Sequence, residues 1–320
     1  ADEVIKVVDG LQRPHGIAFL DEQMYVANED SVIKVKLKDN LEADISTKEY
    51  ITDLPKGGHW TRTIRIKDGK IYVSIGSSCN VCIENDERRA AILECNEQRN
   101  CKIFAKGIRN AVGFTFHPET NEIYATENSR DWLGDDLPPD EINIIKEGNN
   151  YGWPICYGKN VHDTDFDKNT YIRNPCMEPF EEPSFIDLQA HSAPLGLAFN
   201  FGNNFPAEYK GNLFVAYHGS WNRKEKTGYK IARIDVGKKT VEDFATGWLT
   251  QDNIVAGRPV DIIFDKGGFM YVSDDFAGVI YRIWYEYEEA DNRTKSAYSS
   301  VENYGRFEFP ENKNECKKDD

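Results

Sequence analysis

The chain has 320 residues, 40% of them hydrophobic, and a formal charge of −15 from 39 Lys and Arg against 54 Asp and Glu. That length sustains one large core in a single all-β domain, and the negative balance disfavours a polyanionic partner such as nucleic acid. No run approaches the roughly 20 apolar residues of a membrane span, and ADEVIKVVDG has neither the basic nor the apolar region of a leader, so a signal peptide has been removed or there was none.

In chain order, Val4 to Leu11 (VIKVVDGL) reads as a lone strand. Five copies of one hairpin follow, at Gly16 to Asn28, Thr63 to Gly76, Gly113 to Asn128, Gly196 to Tyr217 and Asp261 to Asp275. In each, two short strands alternate apolar and polar residues across a polar or Gly/Asp turn. A third β-type run follows every copy, and EYITDL, KIFAKG, SFIDL and EDFATG add a fourth to the first four. Four-stranded units repeated at roughly 45 to 80 residues predict a β-propeller rather than a Greek-key sandwich. The fifth copy lacks a fourth strand, so the N-terminal strand is expected to supply it and close the ring. This gives a propeller domain over 1–285 and a polar tail over 286–320, the latter carrying the sequon Asn292-Arg293-Thr294.

Of the seven cysteines, Cys79 and Cys82, Cys95 and Cys101, and Cys156 and Cys176 are close in sequence and suit three local disulfides in an oxidising compartment, secreted or periplasmic. Cys316 is left over. The CNVC element would otherwise be half a zinc or redox site, but it has neither a second CxxC nor a βαβ context.

Superposing the repeats aligns the residues just before each first strand: Gln12-Arg13-Pro14-His15, His59-Trp60-Thr61-Arg62, Arg109-Asn110, His191-Ser192 and Arg258-Pro259. In a propeller these linkers lie on one face around the axis. Four repeats therefore send Arg, and three send His, toward one pocket, which in an acidic protein suits an anionic small ligand. Taken singly, each Arg is better explained by an ion pair to an acidic side chain across blades; the set together is better explained by the ligand. His15 reads as a structural linker residue, and His59, after Gly57-Gly58, as either a hydrogen-bonded linker residue or a base. The insert NSRDWLGDDLPPDE places Asp131, Asp135, Asp136, Asp140 and Glu141 within a short span, which suits either calcium or a solvated acidic loop.

Four blocks, GGHWTRTIRIKDGKIYVSIGSSCNVC, RNAVGFTFHPETNEIYATENSRDWLGDDLPPDEIN with NNYGWP, HSAPLGLAFNFGNNFPAEYKGNLFVAYHGSWNR and GRPVDIIFDKGGFMYVSDD, resemble the glucose/sorbosone dehydrogenase family. The likeness runs from about Asp9 to Trp284, and CNVC and HGSWNR sit nearer its sorbosone dehydrogenase-like branch. The resemblance implies a six-bladed propeller that uses pyrroloquinoline quinone (PQQ) and calcium to oxidise an aldose or sorbosone-like sugar, passing electrons to an external acceptor. It makes His59 the general base and places Arg109 and Asn110 beside the quinone carbonyl. It puts Arg258 on a PQQ carboxylate, Arg223 on the cofactor from the neighbouring blade, and the backbone carbonyls of Ser129 and Arg130 on the calcium.

Hydride transfer to the quinone, with proton removal by His59 and charge stabilisation by Arg109, is the chemistry so implied. Two features depart from the pattern. The paired Arg-x-Arg before the last blade is Arg258-Pro259-Val260 here, and five repeats are readable instead of six. The alternative readings are a calcium-dependent lactonase, which would need Glu, Asn and Asp rather than Arg and His at the axis, and a cofactor-free interaction module on the same fold.

Overall fold

The computed structural model describes residues 4–177, 181–286 and 299–304. It is a propeller of five four-stranded antiparallel blades. Blade 1 is β1 (Gly16–Leu20), β2 (Gln23–Ala27), β3 (Ser31–Leu37) and β4 (Ala43–Asp53). Blade 2 is β5 (Ile64–Lys67), β6 (Lys70–Ile75), β7 (Ala91–Cys95) and β8 (Cys101–Lys106). Blade 3 takes β9 (Phe114–Phe116), β10 (Ile123–Glu127) and β11 (Asp140–Ile145). After a small hairpin, β12 (Cys156–Tyr157) and β13 (Val161–His162), it is completed by β14 (Ile186–Leu188). Blade 4 is β15 (Pro194–Phe199), β16 (Leu213–Tyr217), β17 (Lys230–Asp235) and β18 (Thr240–Ala245). Blade 5 is β19 (Pro259–Phe264), β20 (Met270–Asp274), β21 (Val279–Tyr285) and β22 (Ser299–Tyr304).

The core lies in the seams between blades, which explains why some strands read as apolar runs instead of alternating. LFVAY of β16 is buried along its whole length. Leu213, Val215 and Tyr217 face blade 3, whereas Phe214 and Ala216 face blade 5. The two-residue period of the strand thus divides one apolar run between two seams. The same division occurs in β6, where Ile71, Val73 and Ile75 pack toward blade 1 and Tyr72 toward blade 3.

The N-terminal expectation is corrected. Residues 4–15 form no strand, and the fourth strand of blade 5 is β22, paired to β21 from Ile280 opposite Tyr304 to Tyr285 opposite Ser299. The outer edge of β21 is therefore already taken. Instead, Val7, Val8 and Leu11 cover the free face of blade 1 over Met24, Val26, Ile33 and Val35, and Ala43 N–H donates to the Val7 carbonyl at 2.8 Å. The fourth strand of blade 5 escaped the sequence reading because SSVENY is polar.

All three expected disulfides are formed, with Cα separations of 6.3 Å for Cys79–Cys82, 4.1 Å for Cys95–Cys101 and 5.7 Å for Cys156–Cys176. Cys316 and Asn292 lie outside the described residues. No helix among the described residues is long and apolar enough to cross a membrane.

Candidate active site

The linkers entering the inner strands surround a cavity of about 370 Å³. His59, Arg109, Asn110, Ser129 and Arg258, all expected from the sequence, line it, together with Asp131, Asp140, His191, His218 and Trp221. A larger cavity of about 700 Å³, at the outer strands of blades 4 and 5, is walled by Phe244, Tyr281 and Trp284 and contains none of the expected residues.

His59 is placed by two glycines. Gly58 has φ +62°, and a Cβ there would stand 2.4 Å from the Ser78 backbone; a Cβ on Gly76 would stand 2.6 Å from both the His59 Cβ and the Asn110 Oδ1. Only glycine at these positions lets the His59 backbone and Asn110 close onto the end of β6. His59 Nδ1 then lies 2.9 Å from both the Ser77 carbonyl and the Ser77 hydroxyl. Burial, reinforced by the Arg109 charge, lowers the His59 pKa to about 4. The ring is therefore neutral at pH 7, its Nδ1–H is donated to the Ser77 carbonyl, and its Nε2 lone pair, which no protein group engages among the described residues, can accept a proton.

Arg109 is almost fully buried and its guanidinium is oriented by the protein. Nε donates to the Asn80 carbonyl at 2.8 Å, one terminal nitrogen to the Asn128 carbonyl at 2.9 Å, and the other to Asn80 Oδ1 at 3.0 Å and Asp131 at 3.5 Å. Burial lowers its pKa, with Asp131 opposing. Arg258 donates to the carbonyls of His218 and Gly219 and lies 5.5 Å from the Tyr229 ring centre. Its remaining N–H groups give the cavity a second fixed cationic edge. Arg223 is not brought into the lining: it donates to the Asp135 carbonyl and pairs with Asp136 at 2.9 Å, holding the insert to blade 4.

Other members of the linker set serve the scaffold. Arg13 is exposed, pairs with Glu29 and sits 4.4 Å over the Trp60 ring. Arg62 is fully buried and donates to the carbonyls of Pro55, His59 and Thr61. His15 lies 3.2 Å from the Arg62 carbonyl, as expected of a structural linker residue. Two of the four arginines, therefore, reach the cavity.

The acidic insert does not gather its carboxylates around one point. Asp131 meets Arg109, Asp135 and Asp136 engage the Arg223–Lys224 segment, and Glu141 accepts from Asn143 and Gly158 N–H. Among the described residues, the only potential cluster of three metal ligands is Cys79, Cys82 and Glu84, and its two sulfurs are joined in a disulfide. Carboxylate density by itself therefore marks no single point for calcium among the described residues.

The donor set expected from the resemblance fits a hard cation better. No donor among the described residues reaches the carbonyls of Ser129 or Arg130. Beside Ser129, the Asp140 carboxyl is buried and, among the described residues, accepts hydrogen bonds only from the N–H groups of Ser129 and Ala193, at 3.0 Å each. Burial pushes its pKa up to about 7, which marks an uncompensated negative group that a bound cation would relieve. Behind it, Glu127 and Glu141 share the Asn143 amide in full burial, and desolvation raises both. His218, paired with Asp275 at 2.9 Å, and Asn222, bound to Asp131, were not singled out from sequence. Their place in HGSWNR, directly after the inner hairpin of blade 4, was the available signal.

The chain and its fold are similar to known proteins. An uncharacterized protein of Borreliella burgdorferi is 41% identical over 304 residues, covering 89% of this chain and 79% of its own length. The pyrroloquinoline quinone-dependent pyranose dehydrogenase of Coprinopsis cinerea is 23% identical, covering 74% of this chain but 41% of that longer protein. The carbohydrate-active family AA12 enzyme of Trichoderma reesei superposes with TM-scores of 0.73 and 0.72 in its iodide and calcium structures, at 20% identity, over 86% of this chain and 82% of the other. The TrAA12-like family model matches residues 2–286, so the chain belongs to the TrAA12-like family and is an enzyme.

Proposed function

We propose that this protein is a secreted or periplasmic, PQQ-dependent sugar dehydrogenase that uses calcium and passes electrons to an external acceptor. The observation that carries the reading is His59: a half-buried, neutral imidazole with Nδ1 fixed on Ser77, on the wall of a cavity that Arg109 and Arg258 also line. When bound, the quinone supplies the hydride acceptor. Arg109, Asn110 and Arg258 are the residues that hold it, and the carbonyls of Ser129 and Arg130, with Asp140 adjacent, hold the calcium.

His59 Nε2 removes the proton of the sugar hydroxyl whose carbon is oxidised, and the Ser77 bond keeps the ring in the tautomer that allows this. Arg109, its donors already oriented by Asn80 and Asn128, stabilises negative charge without reorganisation. A dianionic or trianionic ligand in this cavity would also offset the Arg109 field that depresses His59, strengthening the base when it is needed.

The test is direct. Apoprotein mixed with PQQ should develop a bound-cofactor absorbance only with calcium present, and aldoses should then discharge a redox dye. Because a ligand that binds only the folded state stabilises it, the melting temperature should rise on loading. Equal melting curves with and without PQQ plus calcium would favour the cofactor-free module.

A further inference from the structure

At the mouth of the cavity two tryptophans stand side by side. Trp132 and Trp221 are 70% and 67% exposed, with ring centres 5.5 Å apart and planes at 87°. They arise from different blades, Trp132 from the insert after β10 and Trp221 from the loop after β16. The residues next to them in sequence tie these loops together, since the Asn222 amide donates to the Asp131 carboxylate. Asp131 is fixed further by its N–H to Asn80 Oδ1 at 2.7 Å and by Arg109. Trp132 has φ +73°, a left-handed conformation that a bulky residue holds only where its surroundings impose it.

Two large rings in mutual contact and open to water at the edge of a cavity, on backbone anchored by Asp131 and Asn222, form a ready binding surface. Trp221 lines the cavity and Trp132 does not, so the surface runs outward from its wall. The nearest charges in sequence to the two rings are paired, Asp131 with Arg109 and Arg223 with Asp136, which favours a neutral occupant. A pyranose has a C–H face that packs on indole and hydroxyls that bond to groups such as Asp131 and Asn222.

We propose that Trp132 and Trp221 form a stacking platform for a neutral pyranose ring next to the one being oxidised, so that this protein acts on the reducing end of oligosaccharides in preference to monosaccharides. The inference rests on the sugar dehydrogenase reading and refines its substrate class. Trp221 forms the inner edge of the platform, and Trp132 determines the gain from the second ring.

The experiment titrates the calcium-loaded protein, with and without reduced PQQ, by calorimetry with glucose, cellobiose, cellotriose, maltose and maltotriose. Steady-state kcat/KM is measured in parallel on the loaded enzyme. In at least one linkage series, binding and kcat/KM should improve about tenfold or more from one ring to two and little from two to three. Trp132→Ala should abolish that gain while leaving glucose affinity and PQQ absorbance unchanged, and Trp132→Phe should keep most of it. Disaccharides that bind no better than glucose in either series, or a gain that survives Trp132→Ala, would overturn the proposal. So would a Trp132→Ala defect confined to reduction of the external acceptor, which would make the pair a docking surface for that acceptor. If no sugar reduces the loaded protein yet the Trp132-dependent gain in binding persists, the platform stands and the dehydrogenase reading fails.

Discussion

Blades 2 and 3 are entered by linkers of similar character, yet their arginines end in opposite circumstances. Arg62 gives its donors to the carbonyls of Pro55, His59 and Thr61, is fully buried, and presents nothing to the cavity. With Arg89 beside it, burial lowers its pKa to about 10, and it remains charged. Arg109 also binds carbonyls, but it lies on the cavity wall and meets Asp131. One linker thus carries the base and the cation that braces its backbone; the other carries a cation aimed at a ligand. An equivalent repeat position fixes where an arginine starts, and the backbone acceptors around it decide whether it supports or reacts.

The sharpest way to break this comparison is kinetic. His59→Ala should lower turnover of the loaded enzyme by about 10² to 10⁴, the usual contribution of a general base, with PQQ absorbance retained. Steady-state dye reduction at saturating sugar measures it. Turnover at the wild-type rate would return His59 to the scaffold alongside Arg62.

Next comes stability. Arg62→Ala leaves a void at a fully buried side chain and three part-buried carbonyls without donors, and should cost on the order of 3 kcal/mol in urea unfolding of the apoprotein. Arg109→Ala exposes its acceptors to cavity water and should cost only about 1 to 2 kcal/mol, while impairing catalysis far more. Equal losses of stability would mean that the two linkers do not differ in kind.

The contrast also predicts a pH dependence. The folded pKa of His59 is lowered to about 4, against an ordinary 6.5, so between these values the unfolded chain binds more protons. His59 therefore contributes stability that is fully present above about pH 6.5 and is lost as pH falls toward 4. Subtracting the unfolding curves of His59→Gln from those of wild type across pH 4 to 7 isolates this contribution, which should be at most about 3 kcal/mol. A pH-independent difference would place the imidazole in water.

Much of this was legible because strand alternation and repetition are local signals. The hairpins of all five blades, the disulfide pairs and the gathering of His59, Arg109, Asn110 and Arg258 followed from them. The rest depended on partners distant in sequence. SSVENY has no apolar alternation, so β22 is recognised only by the β21 edge it occupies. VIKVVDGL alternates like a strand, yet it serves as a cover for blade 1. Arg223 matched a motif, but whether it reached the cofactor or Asp136 depended on the conformation of the insert.

The smallest effect separates two disulfides. Cys79–Cys82 closes a loop with a sequence separation of three, so its removal should cost only about 2 kcal/mol of stability by chain entropy. That loop nevertheless holds both linkers in place: the Cys79 carbonyl accepts from the Ser77 hydroxyl at 2.7 Å, and Asn80 supplies two acceptors to Arg109. Cys95–Cys101 spans the outer hairpin of β7 and β8, and neither cysteine lines the cavity. Cys79→Ser with Cys82→Ser should therefore lower kcat about tenfold, whereas Cys95→Ala with Cys101→Ala should lose a comparable amount of stability with kcat unchanged. Turnover of the two double variants, measured well below their melting temperatures, decides it. If both lose turnover in the same proportion, the loop acts through global stability, and the orientation of His59 and Arg109 does not depend on it.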